Sequence, residues 1–267
     1  MTDHAAASPL DMHTRMSGGA EIPLVGLGTW QLRGDSAADA VGWALEAGYR
    51  HIDTATAYNN EQAVGRALHA SGVARDKVFV TTKMPAERRG RERATLDRSL
   101  SAMGLDHVDL WLIHWPPGGS SGINSWREFV RAREDGLTRS IGVSNYSFDQ
   151  IDELTAATGV TPEINQVRWS PSMYDQTAVD GHRERGVVLE GYSPFRAGGL
   201  DHPVLRDIAN THGATAAQVV IRWHLQHEIV VIPKSARRER IVDNVDVDGL
   251  VLTEDEMRTI DGLGVAA

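Results

Sequence analysis

The sequence predicts an α/β protein that folds as a single-domain (β/α)8 barrel. Short runs of apolar and β-branched residues alternate with longer amphipathic stretches, and this alternation is typical of a parallel sheet covered by helices. Eight such strand-helix units follow one another in 267 residues, with no linker or change of composition between them. This number of units favours a closed barrel, and an open doubly wound sheet is the alternative.

The predicted strands are the apolar runs of the chain. In order they are PLVGLGT, RHID, VFVTTK, VDLWLIH, RSIGVSN, EINQV, VVLEGYS and IVVIPKS. Their nearly continuous hydrophobic character is expected of strands that are buried on both faces.

The stretches between the strands predict amphipathic helices, many of which end at glycine, a frequent residue just after a helix. In order they are SAADAVGWALEAG, NEQAVGRALHASG, RERATLDRSLSAMG, NSWREFVRAREDG, SFDQIDELTAATG, DQTAVDGHRERG, a pair ending at AAQVVIRWHLQHE, RRERIVDN and TEDEMRTIDGLG. Each strand is therefore followed by at least one helix, as a barrel requires.

The domain boundary is expected near the start of the chain, with a disordered lead-in over residues 1–15 and the barrel over residues 16–267. The lead-in lacks the basic start and apolar core of a signal peptide. No apolar run approaches the ~20 residues of a membrane span. Together with the absence of cysteine, these features predict a cytoplasmic protein.

The net charge of −9 argues against nucleic-acid binding, because an acidic chain repels phosphate backbones. We expect a monomer that acts on a small molecule, with neither a nucleic-acid nor a membrane partner.

Polar side chains end seven of the predicted strands. They are Asp53, Lys83, His114, Asn145, Gln166, Ser193 and Lys234. In a barrel the carboxyl ends of all strands meet at one rim, where barrel active sites lie. Ordinary loops also begin with polar residues, but an Asp, a Lys and a His on three successive strand ends favour a catalytic group.

These three residues suit the reduction of a carbonyl once Tyr58, in the loop after the second strand, is added. A lysine ammonium close to a tyrosine lowers the pKa of the phenol, so that Tyr58 can donate a proton near neutral pH. Asp53 would hold Lys83, and His114 would hydrogen-bond the oxygen that receives the proton. None of these side chains supplies a hydride, so the reaction requires a nicotinamide or similar cofactor.

Seven motifs carry a family resemblance that covers nearly the whole chain. They are GLGTW (26–30), GYRHIDTATAYNNE (48–61), VFVTTK (78–83), DLWLIHWP (109–116), SIGVSN (140–145), INQ (164–166) and IPKSARRER (232–240). With them the chain resembles the aldo-keto reductases, and most closely the bacterial group that includes the 2,5-diketo-gluconic acid reductases. The resemblance implies a (β/α)8 barrel, NADPH-dependent reduction of carbonyl compounds, and a catalytic tetrad of Asp53, Tyr58, Lys83 and His114.

The segment PKSARRER predicts a phosphate site at a helix start, with Ser235 as the N-cap. Cations in the first turns of a helix oppose its dipole, and a bound phosphate would remove that penalty. A solvated basic face is the alternative.

The resemblance also implies which residues contact NADPH. It assigns Lys234, Ser235 and Arg240 to the adenosine 2′-phosphate, Asn244 to the adenine, Ser144, Asn145 and Gln166 to the nicotinamide amide, Tyr192 to the nicotinamide ring, and Ser193 and Phe195 to the diphosphate. For Tyr192 and Phe195 alone, core packing is the simpler explanation.

Trp30 and Trp115 follow strand ends and are expected to line an apolar substrate pocket. The chain departs from the family after Gln166, where Arg168 and Ser170 replace the usual acidic residue and histidine. The short segment after Phe195 and the short C-terminus predict an open pocket without a long belt over the cofactor.

The leading hypothesis is therefore an NADPH-dependent oxidoreductase that reduces aldehydes, ketones, keto-sugars or α-keto esters to alcohols, with Tyr58 as the general acid. A non-catalytic NADPH-binding sensor or partner subunit on the same barrel is the alternative. A metal-dependent hydrolase barrel is a third possibility because the chain has 11 histidines. We expect no metal, since no His-x-His ends a strand and no HExxH motif occurs.

Overall fold

Ten short strands and ten α-helices make up the structure, a computed structural model that describes residues 8–195 and 199–264. The strands are β1 (His13–Arg15), β2 (Glu21–Pro23), β3 (Leu27–Gly28), β4 (His51–Asp53), β5 (Phe79–Met84), β6 (Val108–Ile113), β7 (Thr138–Ser144), β8 (Ile164–Arg168), β9 (Val188–Tyr192) and β10 (Val230–Val231). The helices are α1 (Gly34–Glu46), α2 (Glu61–Ala70), α3 (Glu92–Met103), α4 (Ile123–Glu134), α5 (Phe148–Thr158), α6 (Gln176–Glu184), α7 (Pro203–His212), α8 (Ala216–Gln226), α9 (Arg238–Asp243) and α10 (Glu254–Asp261).

The strands β3 to β10 form a parallel sheet of eight strands in chain order. The sheet closes on itself, because the backbone N–H of Gly26 donates to the carbonyl of Val231 over 2.9 Å and that of Gly28 donates to the carbonyl of Pro233 over 3.1 Å. The predicted (β/α)8 barrel is thus confirmed, and the open doubly wound sheet is excluded.

Burial on both faces explains the apolar strand sequences. Every residue of β5 and β6 is buried, and α4 covers the outer face of β6. There the rings of Trp111 and Phe129 stack with their centroids 3.6 Å apart. Complete burial of an aromatic or large aliphatic side chain stabilises the fold by roughly 1.5–3 kcal/mol, so these contacts attach the helix firmly to the barrel.

The helices also pack closely on one another around the barrel. A Cβ atom on Gly65 in α2 would lie 2.4 Å from the carbonyl oxygen of Met103 at the end of α3. Only glycine permits the two helices to approach this closely, because any side chain would collide with the backbone.

The predicted disordered lead-in differs from the structure in its second half. Residues 1–7 lie outside the described residues, but residues 9–15 form a 3-10 turn and strand β1. Strand β1 pairs with β2 in an antiparallel hairpin at the amino-terminal end of the barrel strands. Met12 and Met16 are buried there, and the N–H of Leu24 donates to the Met12 carbonyl over 2.9 Å. Burial of these two methionines orders a segment whose own sequence has no strand-like alternation.

Within the described residues, no helix is both long and apolar enough to cross a membrane.

Candidate active site

The four side chains of the predicted catalytic group, three from strand ends and one from a loop, converge at the carboxyl-terminal rim of the barrel. Asp53 is the last residue of β4, Lys83 lies in β5, and His114 directly follows β6. Tyr58 ends a short 3-10 turn after β4. The Nζ atom of Lys83 lies 5.2 Å from the centre of the Tyr58 ring, and the rings of Tyr58 and His114 are 5.6 Å apart.

The loop that carries Tyr58 is fixed by Asn60. The Asn60 amide donates to the carbonyls of Thr29 and Leu32, over 3.0 Å each. Its Oδ1 atom accepts a hydrogen bond of 2.6 Å from the hydroxyl of Thr54. These bonds join the loops after β3 and β4, so Tyr58 is held over the end of the barrel.

Asp53 and Lys83 form a buried ion pair. The Lys83 ammonium donates to both carboxylate oxygens of Asp53, over 2.5 and 2.7 Å, and to the carbonyl of Thr54 over 2.9 Å. Burial alone would lower the pKa of Lys83, but the negative charge of Asp53 raises it above its usual value, so the ammonium stays charged. Burial raises the pKa of Asp53, while Lys83 and the amide of Gln166 oppose that rise.

The expected lowering of the Tyr58 pKa is wrong for this structure. Burial raises the pKa of Tyr58, and the charge and hydrogen bonding of Lys83 only partly offset that rise. The phenol is therefore protonated at neutral pH, in the form that a proton donor requires.

His114 is neutral at the same site. Burial, together with the positive charge of Lys83, lowers its pKa to about 3. A neutral imidazole carries one N–H donor. His114 is thus suited to hydrogen-bond an oxygen without adding a second positive charge beside Lys83.

A cavity of about 540 Å³ opens above these residues. Its lining includes Asp53, Tyr58 and His114. The two tryptophans assigned to the substrate pocket, Trp30 and Trp115, also line it and are 42% and 51% exposed. The cavity combines an apolar wall with a few convergent polar groups, as small-molecule sites do.

The residues assigned to the nicotinamide form a hydrogen-bonded row along one wall. The Asn145 amide donates to the Ser144 hydroxyl over 2.9 Å and to the His114 carbonyl over 3.3 Å, and it accepts from the Tyr192 hydroxyl over 2.9 Å. Gln166 donates to Asp53 over 2.8 Å. The structure therefore brings Ser144, Asn145, Gln166 and Tyr192 together beside the ion pair.

The remaining cofactor residues extend the same wall toward α9. Ser193, Phe195 and Lys234 line the cavity. Ser235 and Asn244 are buried and Arg240 is exposed, and these three do not belong to its lining. The segment after Phe195, where we expected no long belt, includes residues 196–198, which lie outside the described residues.

The predicted N-cap role of Ser235 is wrong. Helix α9 begins at Arg238, and its N-cap is Arg237. The Ser235 hydroxyl instead accepts a hydrogen bond of 3.0 Å from the N–H of Arg237 in the turn before the helix. Serine commonly forms such local turns, and sequence alone does not separate a turn from a cap at this spacing.

Left-handed backbone conformations occur around the cavity. Gln31, Asn145 and Ser193 have φ angles of 67°, 64° and 57°, and all three line the cavity. Residues with a side chain pay roughly 1–2 kcal/mol for this conformation, and such strain often occurs at functional sites.

Two further residues near the site were not recognised as site residues from the sequence. Arg168, noted only as a departure from the family, ends β8 as an exposed cation that lines the cavity. Glu190 lies in β9, fully buried, with Cα in register with Gln166. The sequence did contain a signal for Glu190, since it is an acidic residue within an otherwise apolar run. Ser170 is buried but does not line the cavity.

Among the described residues, no group of three or more histidine and acidic side chains is arranged to hold a metal ion.

Comparison with known proteins gives a consistent result. The model of the aldo/keto reductase family matches residues 24–264. An aldo-keto reductase of Mycolicibacterium smegmatis is 45% identical over 246 residues, which cover 91% of this chain and 87% of the relative. The methylglyoxal reductase DkgA of Salmonella typhimurium is 40% identical over 250 residues, covering 92% of this chain and 91% of the relative.

A solved structure extends this similarity to the fold. The crystal structure of an aldo-keto reductase from Bombyx mori in complex with NADP superposes with a TM-score of 0.87 at 34% identity, covering 94% of this chain and 92% of that one. The predicted family resemblance is thereby confirmed. The finer similarity to the 2,5-diketo-gluconic acid reductases stays a prediction.

Proposed function

The chain belongs to the aldo/keto reductase family, and we propose that it reduces aldehydes, ketones, keto-sugars or α-keto esters to alcohols with NADPH. The observation that carries this proposal is the arrangement of protonated Tyr58 next to the Lys83 ammonium, beneath a cavity that also exposes His114. The methylglyoxal reductase among the relatives supports a small activated carbonyl as substrate.

The residues of the cavity wall fit a dinucleotide. The amides of Asn145 and Gln166 are suited to the nicotinamide carboxamide, and the half-buried ring of Tyr192 is suited to stack on the nicotinamide. At the other end, Lys234 and Arg240 offer positive charge to a phosphate on a protein whose net charge is −9. When bound, NADPH supplies the hydride that reduces the carbonyl carbon.

The side chains of the protein then carry out the proton transfer. The Tyr58 hydroxyl donates its proton to the carbonyl oxygen, and the Lys83 ammonium stabilises the phenolate that this transfer leaves. The neutral imidazole of His114 hydrogen-bonds the same oxygen and orients the substrate. Asp53 keeps Lys83 in position and charged.

The non-catalytic sensor remains the second candidate, because a cofactor-binding wall alone would serve it. A sensor has no use for a buried ammonium next to a protonated tyrosine, and this pair favours the enzyme. The two functions differ in turnover. NADPH oxidation with a panel of α-keto esters, dicarbonyls, aromatic aldehydes and keto-sugars separates them. Tight NADPH binding without oxidation on any substrate would favour the sensor.

The monomeric state stays a prediction that light scattering tests.

The variant Tyr58→Phe gives the sharpest test of the mechanism. It removes the proton donor and keeps the ring, so the fold and NADPH binding are expected to survive. General acid catalysis contributes roughly 10²- to 10⁴-fold to a rate, and kcat should fall by that factor. Tyr174→Phe, which removes a hydroxyl that donates to Gln176 outside the cavity, is the matched control and should keep its activity. Wild-type turnover in Tyr58→Phe would contradict the assigned role.

A further inference from the structure

Glu190 is a buried acid that the proposed mechanism does not use. Its side chain is 0% exposed, and Glu190 is absent from the cavity lining. Within the described chain, neither carboxyl oxygen of Glu190 has a hydrogen-bond partner. An ionised carboxylate left in this state would be strongly unfavourable, because a buried charge requires a counter-charge or several hydrogen bonds.

The neighbours of Glu190 do not supply that counter-charge. The charged and titratable side chains that face it are His51 and Asp53 of β4 and Lys83 of β5. The ammonium of Lys83 is already paired with Asp53 over 2.5 and 2.7 Å. Gln166, the partner of Glu190 in the strand register, gives its hydrogen bond of 2.8 Å to Asp53. Its amide is close enough to favour the ionised form of Glu190 but makes no hydrogen bond of normal geometry with it.

His51 does not serve as a cation for Glu190 either. Its Nε2 atom lies 3.8 Å from Oε1 of Glu190, beyond hydrogen-bond distance, and 3.2 Å from the hydroxyl of Thr81. The surroundings are tightly packed, since a Cβ on Gly26 would come within 2.5 Å of Nδ1 of His51. Burial lowers the pKa of His51 to about 3, so the imidazole is neutral.

We propose that Glu190 is a positioning residue that stays protonated, so that Asp53 is the carboxylate that pairs with Lys83. In this state the barrel interior holds one carboxylate for one ammonium, and the Gln166 amide stays directed at Asp53. Ionised Glu190 would place a second negative charge beside the pair and compete for Lys83 and Gln166. The added charge would raise the pKa of Tyr58 and weaken it as a proton donor.

The protonation behaviour of Glu190 agrees with this geometry. The pKa of Glu190 is raised to about 8: burial is the largest cause and the nearby Asp53 charge the second, while the Gln166 amide and the Lys83 charge oppose the rise. Ionisation of Glu190 therefore begins in the mildly alkaline range. The role in catalysis rests on the proposed carbonyl reduction, whereas the buried proton itself does not.

Infrared spectroscopy tests the buried proton without any turnover. A protonated carboxyl has a C=O stretching band that an ionised carboxylate lacks. Wild-type protein at pH 7 should show such a band, which disappears as the pH rises above about 8 and is missing in Glu190→Gln. The control Glu163→Gln removes a buried carboxylate that instead pairs with Arg133 over 3.3 Å, and it should keep the band. A wild type without the band at pH 7 would overturn the proposal.

Thermal unfolding gives a second readout. Glu190 holds its proton in the folded state up to about pH 8, whereas the unfolded chain releases it near pH 4.3. Folded stability therefore decreases as the pH rises between these values. The Tm of Glu190→Gln relative to wild type should increase from pH 5 to pH 8. A difference in Tm that does not depend on pH would contradict a protonated Glu190.

The pH profile of kcat separates positioning from a purely structural role. Glutamine imitates the protonated acid, so Glu190→Gln should turn over within about twofold of wild type at pH 6.5 and lose the decline that begins near pH 8. Loss of activity at pH 6.5 with an unchanged Tm would show that the carboxylate itself is needed and would refute the proposal. If the wild type reduces no carbonyl, the proposed function fails, and the infrared and Tm results still decide on Glu190.

Discussion

The pKa of Tyr58 is subject to two opposing effects: burial raises it and the positive charge of Lys83 lowers it. The sequence places both residues near one barrel rim, and this part of the site was predictable because polar residues end successive strands. The direction of the Tyr58 pKa was not predictable, because burial depends on loops from several parts of the chain. The site holds its tyrosine protonated, and Lys83 acts mainly on the phenolate formed during the reaction.

At the same scale, Arg240 is the residue on which the choice of NADPH over NADH should depend. Its exposed side chain makes no ion pair with another described residue, whereas Arg238 pairs with Glu46 over 3.0 Å. Hydrogen bonds to charged groups are worth roughly 1.5–3 kcal/mol, and solvent exposure reduces that value. Arg240→Ala should therefore weaken NADPH binding at least about tenfold, since about 1.4 kcal/mol is a factor of ten, and leave NADH nearly unchanged.

The variant Arg238→Ala is the matched control for Arg240→Ala, because it removes a similar charge from the same helix. It should alter neither affinity. Fluorescence titration with both cofactors at low and high salt measures the effect, and the preference for NADPH should decrease as salt rises. Equal affinity of the wild type for the two cofactors would show that PKSARRER is only a solvated basic segment.

At the scale of elements, the lengths and ends of the strands and helices were the least predictable features. The run PLVGLGT was expected to form a strand, but β3 covers only Leu27–Gly28, and strand β1 arises in a segment expected to be disordered. Both outcomes depend on contacts outside the segment itself: β3 lies against β10, which closes the barrel, and Met12 and Met16 of the hairpin segment are buried against the rest of the fold. The alternation of strands and helices was predictable because burial imposes it on each segment separately.

The turn after β9 contains a strained residue. Replacing it should increase the stability of the fold and weaken NADPH binding, so the two effects are measured separately. Ser193 has a φ of 57°, where glycine carries no penalty. Ser193→Gly should raise the free energy of unfolding by up to about 1 kcal/mol, because the gain of roughly 1–2 kcal/mol is reduced by the greater freedom of glycine in the unfolded chain. The same change should weaken NADPH binding about fivefold, since one hydrogen bond of about 1 kcal/mol is lost.

Glu228→Gly is the control for this turn, because Glu228 has a φ of 58° but precedes β10 at the opposite end of the barrel. It should leave NADPH affinity unchanged. Urea unfolding and NADPH titration of both variants measure the two quantities. If Ser193→Gly binds NADPH as tightly as wild type, the strained turn has no part in the cofactor site.

At the scale of the molecule, closure of the barrel brings together polar groups that are far apart in the sequence. The polar residues at strand ends were recognisable because they adjoin loops. Glu190 was not recognisable, because it lies inside a strand, two residues before the predicted site residue Tyr192. Its neighbours in β4 and β5 are brought beside it only when the barrel closes. Packing of the strands and helices also buries several histidines, so the stability of the fold should depend on pH.

Buried neutral histidines should make the protein sensitive to acid. Burial lowers the pKa of His51 to about 3, of His114 to about 3 and of His224 to about 4. In the unfolded chain each of these groups binds a proton near pH 6.5. As the pH falls from about 6.5 to about 4, the unfolded state therefore binds more protons than the folded state, and stability decreases. Glu190 acts in the opposite direction over part of this range.

The contribution of one histidine is measurable with His224→Leu. Each withheld proton adds a slope of about 1.4 kcal/mol per pH unit to the free energy of unfolding. Replacing His224, which is 0% exposed, should reduce the wild-type slope between pH 4 and pH 6 by about that amount. His13→Leu, at an exposed position in β1, should leave the slope unchanged. Urea unfolding at half-unit pH steps gives both slopes. Equal slopes for wild type and His224→Leu would mean that His224 has the same pKa in the folded and the unfolded protein. Only a group whose pKa differs between the two states makes stability depend on pH.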